Sequence, residues 1–181
     1  RPAWSLEDGR MVRIRRRASV DLDGIAKGYA VDRAIDGLRS NGVEATVNAG
    51  GDLRTTRECS EPLFVRCDTV RGGLVSLGRL GIGAFASSQS RIRSGLDTGL
   101  AGAGIDDRRS SGRHLPLMVI AVAAPSCAVA DALTKVVAVD PEAALGILEK
   151  HCATAWILRE LSGALRMKRL GSSSIVTGDA A

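Results

Sequence analysis

Three short stretches of the 181-residue chain set charged or oxygen-bearing side chains beside glycine in ways that suit an anionic ligand. The first is Asp21-Leu22-Asp23-Gly24-Ile25-Ala26-Lys27-Gly28-Tyr29. It reads as a strand end passing through glycine into a helix with a lysine in its first turn. The unpaired N–H groups of a helix start attract an anion, and Lys27 adds a positive charge. Gly24 and Gly28 let a backbone or a flat ligand approach closely. The plainer reading is a capped helix with an exposed Lys27. The second stretch is Asn48-Ala49-Gly50-Gly51-Asp52. A strand ending in Gly-Gly can offer successive N–H groups to an oxyanion. It can equally be a turn in which Asn48 and Asp52 bond local backbone. The third is Ala130-Asp131-Ala132-Leu133-Thr134-Lys135. Asp131 sits in an otherwise apolar helix, and a buried carboxylate must find a partner or lose its charge. Thr134 and Lys135 share its helical face. Asp131 is therefore either a ligand for a hard metal, helped by the Thr134 hydroxyl, or the acid of an ion pair with Lys135.

The elements that must position these groups follow from periodicity. Val31, Ala34, Ile35 and Leu38 predict a helix over 24–41, started by Asp21 or Asp23 and stopped by Asn41-Gly42. A short strand over 44–47 precedes the Gly-Gly segment. Residues 11–21 read as one or two strands, with Arg13 to Arg17 as a solvated face or a phosphate patch. Short strands are expected at 63–67, 74–77 and 80–86, and a long glycine-rich loop at 94–113. An apolar strand over 115–124 leads through Ser126, a candidate N-cap, into an apolar helix over 127–139. Pro141 starts a further helix through 150. A hairpin of 155–158 and 164–168 closes the unit, and the tail after Leu170 is expected to be frayed. The expectation is an α+β fold of mixed or antiparallel sheets with flanking helices, one domain over 1–170 and a flexible tail over 171–181.

Composition narrows the classes. Aromatic residues are 3% of the chain, too few for a protein that stacks the bases of a single-stranded nucleic acid. Nucleic acid is not an expected partner. No apolar run is long enough for a transmembrane helix. Two histidines and four scattered cysteines lack zinc-finger spacing, and buried free thiols are the expected state of the cysteines. The net charge of +5 favours anionic ligands without naming one.

Taken together, the three stretches resemble the FAD:protein FMN transferase family, also called ApbE. Asp21 to Asp32 matches its D-L-G-G-I-A-K-G-Y-A-V-D pattern, and Val47 to Asp52 matches its V-N-A-G-G-D segment. Ala130 to Lys135 matches A-D-A-L-x-T, and Phe85-Ala86-Ser87-Ser88 stands where the family has A-T-S-G. The resemblance implies an ApbE-like, T-fold-like architecture lacking the family's N-terminal part. It implies FAD as substrate, Mg2+ as cofactor, and an acceptor flavoprotein whose Thr or Ser hydroxyl attacks the FMN phosphorus while AMP leaves. It also implies a bacterial periplasmic or cell-envelope location. Carried onto this chain, the metal ligands would be the Ala26 carbonyl, Asp131 and Thr134. The flavin nucleotide would be bound by Gly24, Ile25, Ala26, Lys27, Gly28, Asn48, Ala49, Gly50, Gly51, Asp52 and Ser87. The catalytic groups would be Asp131, Lys27 and Asp107.

The departures are specific. Asp23 stands where the pattern has Gly or Ser. Lys135 holds the place of the family's threonine ligand, and Thr134 is about 100° around the helix from it. The family's H-I-I-D-P-R-T-G segment has its nearest counterpart in Gly104 to Gly112, which lacks the histidine. His114 is out of register and reads as a surface residue. Two alternatives to Mg-dependent FMN transfer follow: a catalytically inactive flavin- or partner-binding relative, and an FAD pyrophosphatase with water as acceptor.

Overall fold

The apolar segment around Ile120 explains the architecture. In the computed structural model, which describes residues 4–13, 22–58, 61–67, 73–90, 118–161 and 164–178, this segment is a strand buried on both faces. Side chains alternate across a strand. Ile120, Val122 and Ala124 therefore face one core, while Val119, Ala121 and Ala123 face another. Two apolar faces need two covering layers, and the chain supplies both.

The described elements run in chain order as β1 (Trp4–Glu7), β2 (Arg10–Arg13), α1 (Ala26–Ser40), β3 (Thr46–Ala49), β4 (Asp52–Thr55), β5 (Glu61–Arg66), β6 (Leu74–Leu80), β7 (Gly83–Ser90), β8 (Met118–Ala124), α2 (Cys127–Val139), α3 (Ala144–Lys150), β9 (Thr154–Leu161), β10 (Ala164–Leu170) and β11 (Val176–Thr177). A six-stranded sheet of order β10-β9-β8-β7-β4-β3 forms the middle layer. One face packs on α2 and α3 through Leu133, Val137, Ala144 and Leu148. The other packs on a three-stranded sheet, β11-β6-β5, through Leu63, Leu77, Phe85 and Trp156. Among the described residues every strand pairing is antiparallel, so the fold is α+β with antiparallel sheets.

α1 ends where the sequence places its end. Asn41 is the C-cap and Gly42 takes φ +72°. Gly42 N–H donates to the Arg39 carbonyl at 2.9 Å and Val43 N–H to the Leu38 carbonyl at 3.1 Å, the paired bonds of a Schellman stop. Its start differs from expectation. The N-cap is Ile25, with no side-chain capping bond, so Asp23 does not hold that position, and Asp21 lies outside the described residues. α2 spans 127–139 as expected, and α3 begins three residues after Pro141.

Other differences lie in short pairings. The Asp8-Gly9 turn, with both φ positive, joins β1 to β2, and β1 had no periodic signal. β4 follows the Gly-Gly turn directly. The segment after Leu170 is not a loose tail through residue 178: Val176 and Thr177 pair with Leu80 and Arg79, and Val176 joins the core between the sheets. Two small residues cannot announce this, because their strand exists only by pairing with β6. The expected loop over 94–113, Asp21 and most of the Arg13–Arg17 run lie outside the described residues.

Candidate anion site at the start of the first helix

The three stretches come together. α1 crosses α2 at Gly28, where a Cβ would lie 2.6 Å from the Cys127 carbonyl carbon and 2.8 Å from Ala128 Cα. Only glycine allows this approach. It brings Gly28 N–H, one of the helix-start donors, to 3.4 Å from Asp131 Oδ2 across 103 residues of sequence. A carboxylate beside a helix N-terminus is favoured by the exposed N–H groups.

The crossing is locked by Asp32, which lies off the apolar stripe of Val31, Ala34, Ile35 and Leu38. Its carboxylate accepts from Cys127 N–H and Ala128 N–H, each at 2.9 Å, and from Arg54 Nη1 at 3.0 Å. Asp32 thus caps α2 from another helix. Ser126 occupies the N-cap position but makes no side-chain capping bond. The V-D ending of the first motif carried this residue, but a helical wheel cannot show that a second helix starts above it.

The Gly50-Gly51 turn is a two-residue hairpin between β3 and β4, with φ +67° and +102° and Ala49 opposite Asp52. Asn48 Oδ1 accepts from Gly51 N–H at 2.9 Å, so that donor is already satisfied. Asp52 points inward and is 1% exposed, its Oδ2 paired with Lys27 Nζ. Its Oδ1 is buried with no partner among the described residues. Burial, and the nearby Asp131 charge, push the Asp52 carboxyl up against the pull of Lys27. For Lys27, burial works to lower the ammonium's pKa, but the Asp52 contact outweighs it and the net shift is upward. Burial, with Asp52, Asp32 and Asp131 close by, pushes the Cys127 thiol up to about 12.

Asp131 is fully buried, and its carboxylate is held by Lys135. The Lys135 ammonium lies 2.5 Å from Asp131 Oδ1 and 2.9 Å from Ser88 Oγ. Thr134 donates its hydroxyl to the Asp131 backbone carbonyl at 2.7 Å and lies 2.8 Å from Ser88 Oγ. Ser88 on β7 therefore belongs to the cluster, and the A-T-S-G correspondence was the signal that could have found it. Ser87 alternates to the other face of the sheet, near Gly51. Asp107 and His114 lie outside the described residues.

These positions do not fit a magnesium ion held by Ala26, Asp131 and Thr134. Magnesium needs open oxygen ligands at about 2.1 Å in octahedral array. Here Asp131 Oδ1 already holds an ammonium, the Thr134 hydroxyl is committed to Asp131 and Ser88, and Ala26 is the first residue inside α1. Its carbonyl belongs to the helical ladder. Among the described residues no group of three His, Cys, Asp or Glu side chains is placed to hold a metal.

Two lysines and two buried acids thus gather at one helix start, on a three-layer antiparallel α+β fold. The sequence matches the ApbE family over residues 3–158, and the chain belongs to that family. Among solved structures it is similar to the flavin transferase ApbE from Vibrio cholerae, at 22% identity and a TM-score of 0.68 over 95% of this chain and 56% of that one. It is also similar to the apo flavinyl transferase ApbE of Pseudomonas stutzeri, at 19% identity and TM-score 0.67 over 92% of this chain and 56% of that one. The ApbE protein of Thermotoga maritima matches at 23% identity and TM-score 0.62 over 91% of this chain and 56% of that one. At these identities the likeness is one of fold. The chain spans about half the length of these structures. No curated protein sequence matches it.

Proposed function

We propose that this chain is the nucleotide-binding part of a flavin transferase that takes FMN from FAD and places it on a Thr or Ser hydroxyl of an acceptor protein. The observation that carries the reading is the apposition of Gly28 N–H and Asp131, which gathers Lys27 and Lys135 around one helix start. Membership of the ApbE family supports it. Phosphoryl transfer depends on positioning and charge neutralisation more than on covalent help from the enzyme. The diphosphate of FAD would lie against the N-terminus of α1. Lys27, 46% exposed, would neutralise phosphate oxygen while keeping Asp52 paired. The acceptor oxygen forms a bond to the FMN phosphorus, the bond from that phosphorus to the bridging oxygen breaks, and AMP leaves with that oxygen. The acceptor's proton passes to solvent. No step is routed through a metal, because the expected ligands are committed elsewhere. A cell-envelope location is part of the same proposal and rests on the resemblance alone.

The Lys135–Asp131 contact favours a second reading, a binder of FAD that transfers nothing. One experiment separates them. The chain is incubated with FAD and an acceptor protein that an active ApbE flavin transferase labels, and the products are read by mass spectrometry and nucleotide chromatography. An FMN adduct on the acceptor with equimolar AMP establishes transfer. Free FMN with AMP and no adduct identifies hydrolysis. Bound, unaltered FAD identifies the binder. Failure to bind FAD removes the flavin reading altogether.

A further inference from the structure

We infer that Lys135 is the resident cation of this site: its ammonium occupies the position on Asp131 that a divalent metal would take, so the site works without one. Two independent features carry this. The first is the bonding: Lys135 donates to Asp131 Oδ1 and Ser88 Oγ, which accounts for two of an ammonium's three N–H groups. The third has no partner among the described residues, and the side chain is 31% exposed, so it reaches the open side of the cluster. The second is the packing of the lysine stem against Gly24. A Cβ on Gly24 would lie 3.2 Å from Lys135 Cε and 3.4 Å from its Cγ. The start of the first motif is thus packed along the side chain that replaces the threonine.

The charges agree. Asp52 and Asp131 carry two negative charges, and Lys27 and Lys135 carry two positive ones. A divalent ion added on Asp131 would meet an ammonium within a few ångströms and leave the cluster over-charged. Replacing Lys135 by a neutral residue leaves a carboxylate uncompensated beside an open position, which is the state that recruits a metal. That a phosphate of the ligand takes the third Lys135 N–H rests on the flavin reading above; the exclusion of metal does not.

The test uses the whole chain and two probes. Mn2+ is titrated and followed by the loss of its free-ion electron paramagnetic resonance signal. The wild type is expected to bind none, while Lys135→Thr binds one equivalent that Lys135→Thr/Asp131→Asn loses. FAD affinity is measured by flavin fluorescence in chelator and in Mg2+. The wild type is expected to differ by less than about twofold between the two, and Lys135→Thr to gain about tenfold or more from Mg2+. Lys135→Met keeps the stem against Gly24 and should lose FAD affinity in both media. Stoichiometric Mn2+ binding by the wild type, lost in Asp131→Asn, overturns the inference, and this arm needs no folded Lys135 variant. A Mg2+ requirement for FAD binding in the wild type overturns it as well. If FAD does not bind under any condition, the flavin reading fails while the Mn2+ result still decides the role of Lys135.

Discussion

Replacing Asp32 by asparagine should be among the costliest isosteric changes in the chain, although the residue lies on a helix face that reads as solvent-exposed. The carboxylate accepts two backbone N–H bonds at 2.9 Å from the start of α2 and a third from Arg54, itself largely buried. Bonds to a charged acceptor contribute about 1.5–3 kcal/mol each, against about 1 for a neutral one. Asparagine retains one acceptor oxygen, so one α2 donor keeps a weakened bond. With that oxygen at the Oδ1 position, Cys127 N–H and Arg54 keep an acceptor that is now neutral, while Ala128 N–H faces an NH2 group. The loss is therefore roughly 2–4 kcal/mol, most of it from the stranded N–H and the weakened cap. At about 2–4 °C per kcal/mol for a chain of this size, the Tm falls by about 4–16 °C. Urea unfolding followed by circular dichroism measures it, with an unchanged m-value showing that stability alone has moved. A loss below about 1 kcal/mol would refute the argument that Asp32 holds the two helices in register. Because α2 carries Asp131 and Lys135, FAD affinity should fall with stability.

Other consequences are as concrete. Gly28→Ala puts a methyl inside van der Waals contact with the Cys127 carbonyl carbon, and the backbone must part; a destabilisation of about 3 kcal/mol or more is expected in urea, with loss of FAD binding. Cys127, its thiol pushed up to about 12, should resist iodoacetamide at pH 8 in the folded chain while exposed Cys152 is alkylated, as peptide mapping would show; prompt labelling of Cys127 would contradict its buried, acid-lined setting. Asp52 gives a pH signature. A carboxyl with a raised folded pKa holds its proton more tightly folded than unfolded, so its contribution is fully present below 3.8 and is lost as pH rises through the folded value. Lys27→Met removes the partner, and because the Asp52 carboxyl is raised its destabilisation should grow as pH rises from 3 to 7; equal losses at both pH values would show that the two charges do not interact.

The sequence by itself determined the parts whose physics is local. The α2 span, the Asn41-Gly42 stop of α1, the apolar strand around Ile120 and the family motifs were all legible, because helix period, turn chemistry and a run of buried residues are written within a few positions. It also marked Asp131 as a buried acid with two candidate partners four residues apart at most. Tertiary structure decided which partner it takes: Lys135 turns onto the acid with its stem against Gly24, and Ser88 on β7 supplies a second acceptor. It decided that Asp32 caps a helix 95 residues away, and that Val176 and Thr177 form a strand. Those outcomes depend on contacts between segments far apart in the chain, and no local pattern of residue types encodes a distance between them.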